Sequence, residues 1–67
     1  MPLIEISMLE GRSAAQKKVL VDGIVHAFGL IGVPEEQLWT KFSESSAENW
    51  FVGGDSVADR RKARETP

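Results

Sequence analysis

Residues 2–9 read Pro-Leu-Ile-Glu-Ile-Ser-Met-Leu, and Ile4, Ile6 and Met8 alternate there with Glu5 and Ser7. A helix would scatter these residues around its circumference, whereas a strand puts the three apolar ones on a single face. The next residues narrow the possibilities further. Glu10-Gly11-Arg12-Ser13 breaks the alternation, and Ser13 with Gln16 three positions later spells a capping box, so a helix opens at that point. Leu20, Ile24, Ala27, Phe28 and Ile31 fall on a stripe suited to packing on a sheet, with Lys17, Lys18 and Asp22 mostly outside it. Gly32 and Pro34 close the helix. Leu38, Thr40 and Phe42 then alternate with Trp39, Lys41 and Ser43, which predicts a second strand whose less polar face also meets the helix. A crossover of this length makes the two strands parallel, with a right-handed connection. Asn49-Trp50-Phe51-Val52-Gly53-Gly54 reads as a short hairpin or edge strand, and residues from about 55 to 67 read as a tail. The expected class is α+β: one domain over residues 1–67, a β-α-β protomer with a parallel two-strand core and a short C-terminal hairpin.

Such a protomer is incomplete. A 67-residue chain buries only about 60% of the surface its unfolded form exposes. There is no cysteine for a disulfide or a thiolate metal site, and a single histidine does not make a metal site by itself. One helix covers one face of a parallel sheet, and such sheets are normally covered on both. Copies of this chain or of a close relative are therefore expected to supply the rest. Apolar residues at 42% and charged residues at 27% are ordinary for a globular chain and argue against disorder. The longest apolar runs are too short for a membrane span or a secretory signal, so no membrane partner and a cytoplasmic location are expected. Eight basic against ten acidic residues, a net charge of −2, do not favour nucleic acid as a partner. The cluster Arg60, Arg61, Lys62, Arg64 is flanked by Asp59 and Glu65 and has no interleaved aromatic, which fits a solvated segment.

The usual catalytic signatures are missing from the sequence: no phosphate-cradling glycine loop, no readable nucleophile triad and no metal-ligand pair, so neither cofactor nor metal is expected. His26 reads as a helix-surface or interface residue, and Glu10 as a turn carboxylate near the positive end of the helix. The amino terminus offers more. Met1 precedes a small residue, Pro2, of the kind whose methionine is commonly removed, and removal would leave Pro2 a free secondary amine. An ordinary α-amino group titrates near about 7.7–8.0, and an apolar pocket disfavours its charged form, so such an amine can act as a base at neutral pH. Position alone leaves a second reading open, in which Pro2 simply starts an edge strand.

The ordered set of features resembles the 4-oxalocrotonate tautomerase family over residues 2 to about 54. It runs Pro2, an alternating strand, Leu9-Glu10-Gly11-Arg12-Ser13, Gln16-Lys17, an amphipathic helix, Pro34, a second strand ending at Glu44, then Asn49-Trp50 and Gly53-Gly54. The resemblance implies a hexamer, a trimer of dimers, and a cofactor-independent keto–enol tautomerase or isomerase. Its substrate class would be a 2-hydroxy-dienoate or an enolpyruvate-type 2-keto acid. The resemblance makes Pro2 the general base and Arg12 the arginine that binds the carboxylate and carbonyl region, a task suited to a planar guanidinium fork. Trp50 matches an aromatic that lines the pocket of the proline, and Arg61 is expected near a neighbouring subunit's site.

One position departs from the family pattern. Trp39 stands where oxalocrotonate-type enzymes carry a second arginine, and Lys41 on the same strand face is a mobile point charge rather than a fork. One arginine with Trp39 and Trp50 as substrate-binding walls fits a monocarboxylate enol with an apolar or aromatic tail better than a diacid. Two other readings stay within the resemblance. A protonated Pro2 would serve a hydratase or dehalogenase, and a Met1-blocked Pro2 would leave a non-catalytic subunit of a hetero-oligomer.

Overall fold

The computed structural model describes residues 1–65. Strand β1, Leu3–Leu9, and strand β2, Trp39–Ser45, pair in parallel with Leu3 opposite Trp39 and Leu9 opposite Ser45. Between them runs helix α1, Ala14–Gly29. This is the expected β-α-β unit. The capping box is present in full: the Gln16 N–H donates to Ser13 Oγ at 3.1 Å, and the Ser13 N–H donates to Gln16 Oε1 at 2.9 Å. Two of the four unpaired donors at the start of a helix are satisfied in this way.

Ile4, Ile6 and Met8 of β1 and Thr40 and Phe42 of β2 are half-buried, while their alternating neighbours Leu3, Glu5, Ser7, Trp39, Lys41 and Ser43 are exposed. The covering face of α1 is not the expected stripe. Lys17, Val21, Ile24, Val25 and Phe28 are its half-buried residues. Leu20 and Ala27 are exposed, and Ile31 lies in the turn after the helix, 74% exposed. The reason is that α1 is apolar on more than one side, so periodicity admits two stripes a residue apart. A long lysine belongs to the one observed. Lys17 lays its alkyl stem on the sheet, pairs with Glu44 and brings Nζ to 5.9 Å from the centre of the Phe42 ring.

The helix ends earlier than Gly32. Leu30 is the C-cap, and Gly32 at φ +87° turns the chain while the Val33 N–H reaches back to the Phe28 carbonyl at 3.1 Å. A side chain at that φ would be strained, so glycine suits the turn. Short 3₁₀ turns at Glu35–Gln37 and Ala47–Asn49 flank β2.

The hairpin is formed by β3, Phe51–Val52, and β4, Asp55–Ser56, antiparallel around Gly53-Gly54, with Gly53 at φ +61°. Beyond it the expected tail is in fact a helix, α2, Val57–Glu65; Thr66 and Pro67 lie outside the described residues. Ser56 caps this helix, its Oγ accepting the Asp59 N–H at 3.1 Å, and at 8% exposure it is the one buried residue among those described. The Val57 N–H is tied to the Trp50 carbonyl at 2.7 Å. Periodicity gives no warning of α2, because only Val57 and Ala58 are apolar before four exposed polar residues and Ala63.

No apolar side chain is fully buried among the described residues. The Cα radius of gyration is 16.1 Å and the extents are 50 × 22 × 17 Å, against a radius of about 11 Å for a compact chain of this length. The accessible surface is 5295 Å², where roughly 4,200 Å² is usual at this mass. The protomer is thus opened out, with one sheet face and both sheet edges uncovered. No described helix is long and apolar enough to cross a membrane.

Candidate active site

Pro2 immediately precedes β1. Its ring is half-buried, and its carbonyl accepts the Trp39 N–H at 3.0 Å, so the first ladder bond of the sheet ties Trp39 beside it. Trp39 is 57% exposed on the uncovered sheet face, next to the exposed Leu3. Met1 is 85% exposed. While Met1 is attached, the Pro2 nitrogen is an amide and has no basicity.

Arg12 lies past the opposite end of the strand. Six steps along β1 at about 3.3 Å each place its two ends roughly 20 Å apart. Pro2 and Arg12 of one chain are therefore not brought together. The sequence showed both residues but not this separation. At the Arg12 end, the Glu10 N–H donates to the Ser45 carbonyl at 2.9 Å, which fixes the bend, and Gly11 at φ +127° adopts a conformation open to glycine. The bend opens a cleft of about 370 Å³ lined by Met8, Leu9, Glu10, Gly11, Arg12 and Arg61.

Trp50 is half-buried. It follows the 3₁₀ turn after β2, on the Ser45 side of the sheet, and its carbonyl holds the first turn of α2. Arg61, expected near a neighbouring subunit's site, is carried by α2 into the same cleft as Arg12. The candidate residues thus fall into two groups, Pro2 with Trp39 at one end of the sheet and Arg12 with Arg61 at the other. Lys41 is exposed two residues from Trp39, and His26 is exposed in the last turn of α1, where a basic group suits the helix dipole. No group of three His, Asp or Glu side chains among the described residues is placed to hold a metal ion.

Residues 2–60 match the family model of the tautomerase enzymes. The chain belongs to the tautomerase family. The probable tautomerase of Bacillus cereus is 36% identical over 61 residues, 90% of this chain and all of that one. A 2-hydroxymuconate tautomerase of Comamonas testosteroni is 33% identical over 60 residues, 88% of this chain and 95% of its own length. Among solved structures, a 4-oxalocrotonate tautomerase homologue of the tomaymycin biosynthetic pathway superposes with a TM-score of 0.83 at 40% identity. It covers 91% of this chain and 95% of its own. A heterohexameric 4-oxalocrotonate tautomerase from Chloroflexus aurantiacus gives 0.77 at 37% identity, covering 88% and 97%. The tautomerase β-α-β core and C-terminal hairpin expected from the sequence are those of these structures.

Proposed function

We propose that this tautomerase-family chain is a cofactor-independent keto–enol tautomerase of an enolpyruvate-type or 2-hydroxy-dienoate 2-keto acid, with Pro2 as general base once Met1 is removed. The observation that carries the reading is the division of the site between the two ends of β1. Pro2, an amine once Met1 is removed, stands at one end and a guanidinium cleft at the other, and both ends belong to an opened-out protomer with an uncovered sheet face. A second copy that brings its Arg12 end against the first copy's Pro2 end completes the site. The working form is therefore a homo-oligomer, and a hexamer built as a trimer of dimers is in keeping with the heterohexameric relative.

In the completed site the neutral Pro2 nitrogen takes the hydroxyl proton of the enol. The electron pair moves through the enol to its terminal carbon, and the prolinium returns a proton to that carbon, leaving the 2-keto acid. Arg12 holds the carboxylate and the neighbouring oxygen, where negative charge builds as the proton leaves. Trp39 and Trp50 wall the pocket and keep it apolar, which favours the uncharged amine. Trp39 selects a monocarboxylate with an aromatic or apolar tail over a diacid.

The test is ketonisation of phenylenolpyruvate by protein whose intact mass shows Met1 removed, beside Pro2→Ala in the same assembly. The variant is expected to lose about 10²–10⁴-fold in rate, the usual contribution of a positioned acid–base group. Equal activity in Pro2→Ala would sink the mechanism.

A further inference from the structure

The sheet face that α1 leaves uncovered is banded. Register pairing sets Leu3 beside Trp39, Glu5 beside Lys41 and Ser7 beside Ser43, and all six residues are exposed. One end of the face is apolar, the middle carries one charge of each sign, and the other end is hydroxyl. Glu5 and Lys41 make no ion pair with each other or with any other described residue, the ion pairs there being Lys17 with Glu44 and Lys18 with Asp22. A neighbour that covers Leu3 and Trp39 also reaches the charged row, which lies two residues on, about 7 Å along the strands. Charges covered without partners are costly, so whatever docks must present a cation to Glu5 and an anion to Lys41. A surface of one sign, such as a nucleic acid, answers only half of the row. A second copy carries both signs. In a two-fold contact Glu5 of each copy meets Lys41 of the other, and in a ring Lys41 of each copy meets Glu5 of the next, so no charge is left over. The area agrees: the accessible surface of 5295 Å² exceeds that of a compact chain of this mass by about 1,100 Å², and a stable interface takes about 800 Å² from each partner.

We propose that the uncovered sheet face seats a second copy of this chain, with Glu5 of one copy paired to Lys41 of the other, and that this charge row decides which chains assemble together. The assignment rests on the homo-oligomer of the reading above and adds the contact that makes it selective. A chain with like charges at both positions is refused by repulsion, and a chain with neither leaves its neighbour's charges unpaired.

The experiment reverses one charge at a time. Glu5→Lys leaves two cations in the row and Lys41→Glu leaves two anions; both positions are exposed on their strands. Native mass and sedimentation follow the parent, each variant alone, and an equal mixture of the variants refolded together from denaturant. The concentration needed to reach the parent's assembled mass is expected to rise about tenfold or more in each variant alone, the effect of juxtaposed like charges. The mixture is expected to return close to parent behaviour, with oligomers that hold both chains in excess of their random share. Joint refolding reads the pairing even where a variant chain does not fold by itself. Variants that each assemble like the parent overturn the proposal, since the row then lies outside the contact. Variants that fail both alone and together also overturn it, because the pair then acts within one chain. A monomeric parent removes the homo-oligomer reading and the charge row with it. None of these outcomes depends on enol turnover, which tests the tautomerase chemistry separately.

Discussion

Trp39 is the residue at which the parallel ladder and the proposed chemistry meet. Its N–H is bonded to the Pro2 carbonyl, while its side chain lies on the uncovered face beside Leu3, so the residue that fixes the start of the sheet is also a neighbour of Pro2. Replacing it with arginine, Trp39→Arg, exchanges an aromatic wall for a fork that binds a second carboxylate. The ratio of kcat/KM for 2-hydroxymuconate to that for phenylenolpyruvate should rise by about tenfold or more, the scale of one charge-assisted hydrogen bond. Steady-state kinetics on the two enols reads this directly, and an unchanged ratio would remove Trp39 from the pocket. The protonation state of Pro2 is tested by pH. A base works only as the neutral amine, so kcat/KM for ketonisation should climb through the amine's titration and level off above it; a hydratase or dehalogenase that needs the prolinium would show the opposite slope. The identities of Pro2, Arg12, Trp39 and Trp50 as candidates were legible from the order of residue types along the chain. Their separation was not, because whether a strand of seven residues divides a site or contributes to one depends on how copies meet.

The two helices show which elements announce themselves in a sequence and which do not. Helix α1 has both a capping box and apolar periodicity, and it begins where Ser13 and Gln16 indicate. Its covering face lies a residue away from the expected stripe because Val19, Leu20, Val21, Ile24, Val25, Ala27 and Phe28 offer more than one, and the contact of Lys17 with Glu44 and Phe42 accompanies the one observed. Helix α2 has no stripe at all, yet Ser56-Val57-Ala58-Asp59 is a start signal in its own right, a serine followed three residues on by an acid. The cap is legible in the sequence, while the charges that follow it are those of a solvated segment. Ser56→Ala should cost about 1 kcal/mol at α2, the ordinary worth of an N-cap. The loss should be confined to α2, with the far-ultraviolet signal of α1 kept, and faster amide exchange restricted to residues 57–65 is the measurement that checks it.

At the scale of the whole molecule, an opened-out protomer with no fully buried apolar side chain cannot account for its own stability. Val19, Leu20, Leu30 and Ile31 on and after α1, Leu3 and Trp39 on the sheet, and Phe51 and Val52 on the hairpin are all exposed, so surfaces remain for more than one neighbour. On the proposed reading assembly serves two ends, burial and the completion of the site, and a mixing experiment separates them. Pro2→Ala keeps the Arg12 end, and Arg12→Ala keeps the Pro2 end. If each site takes its proline from one copy and its arginine from another, oligomers re-formed from an equal mixture hold both residues in about a quarter of their sites, the product of two independent halves. Two nearly inactive preparations should therefore recover about a quarter of the parent rate after joint refolding, and none when mixed without exchange of subunits. Recovery is the outcome that a site confined to one chain cannot produce, because every copy in the mixture lacks one of the two residues. No recovery from mixed oligomers, verified as mixed by native mass, would return both residues to a single chain and require that chain to bend across the roughly 20 Å that β1 now spans.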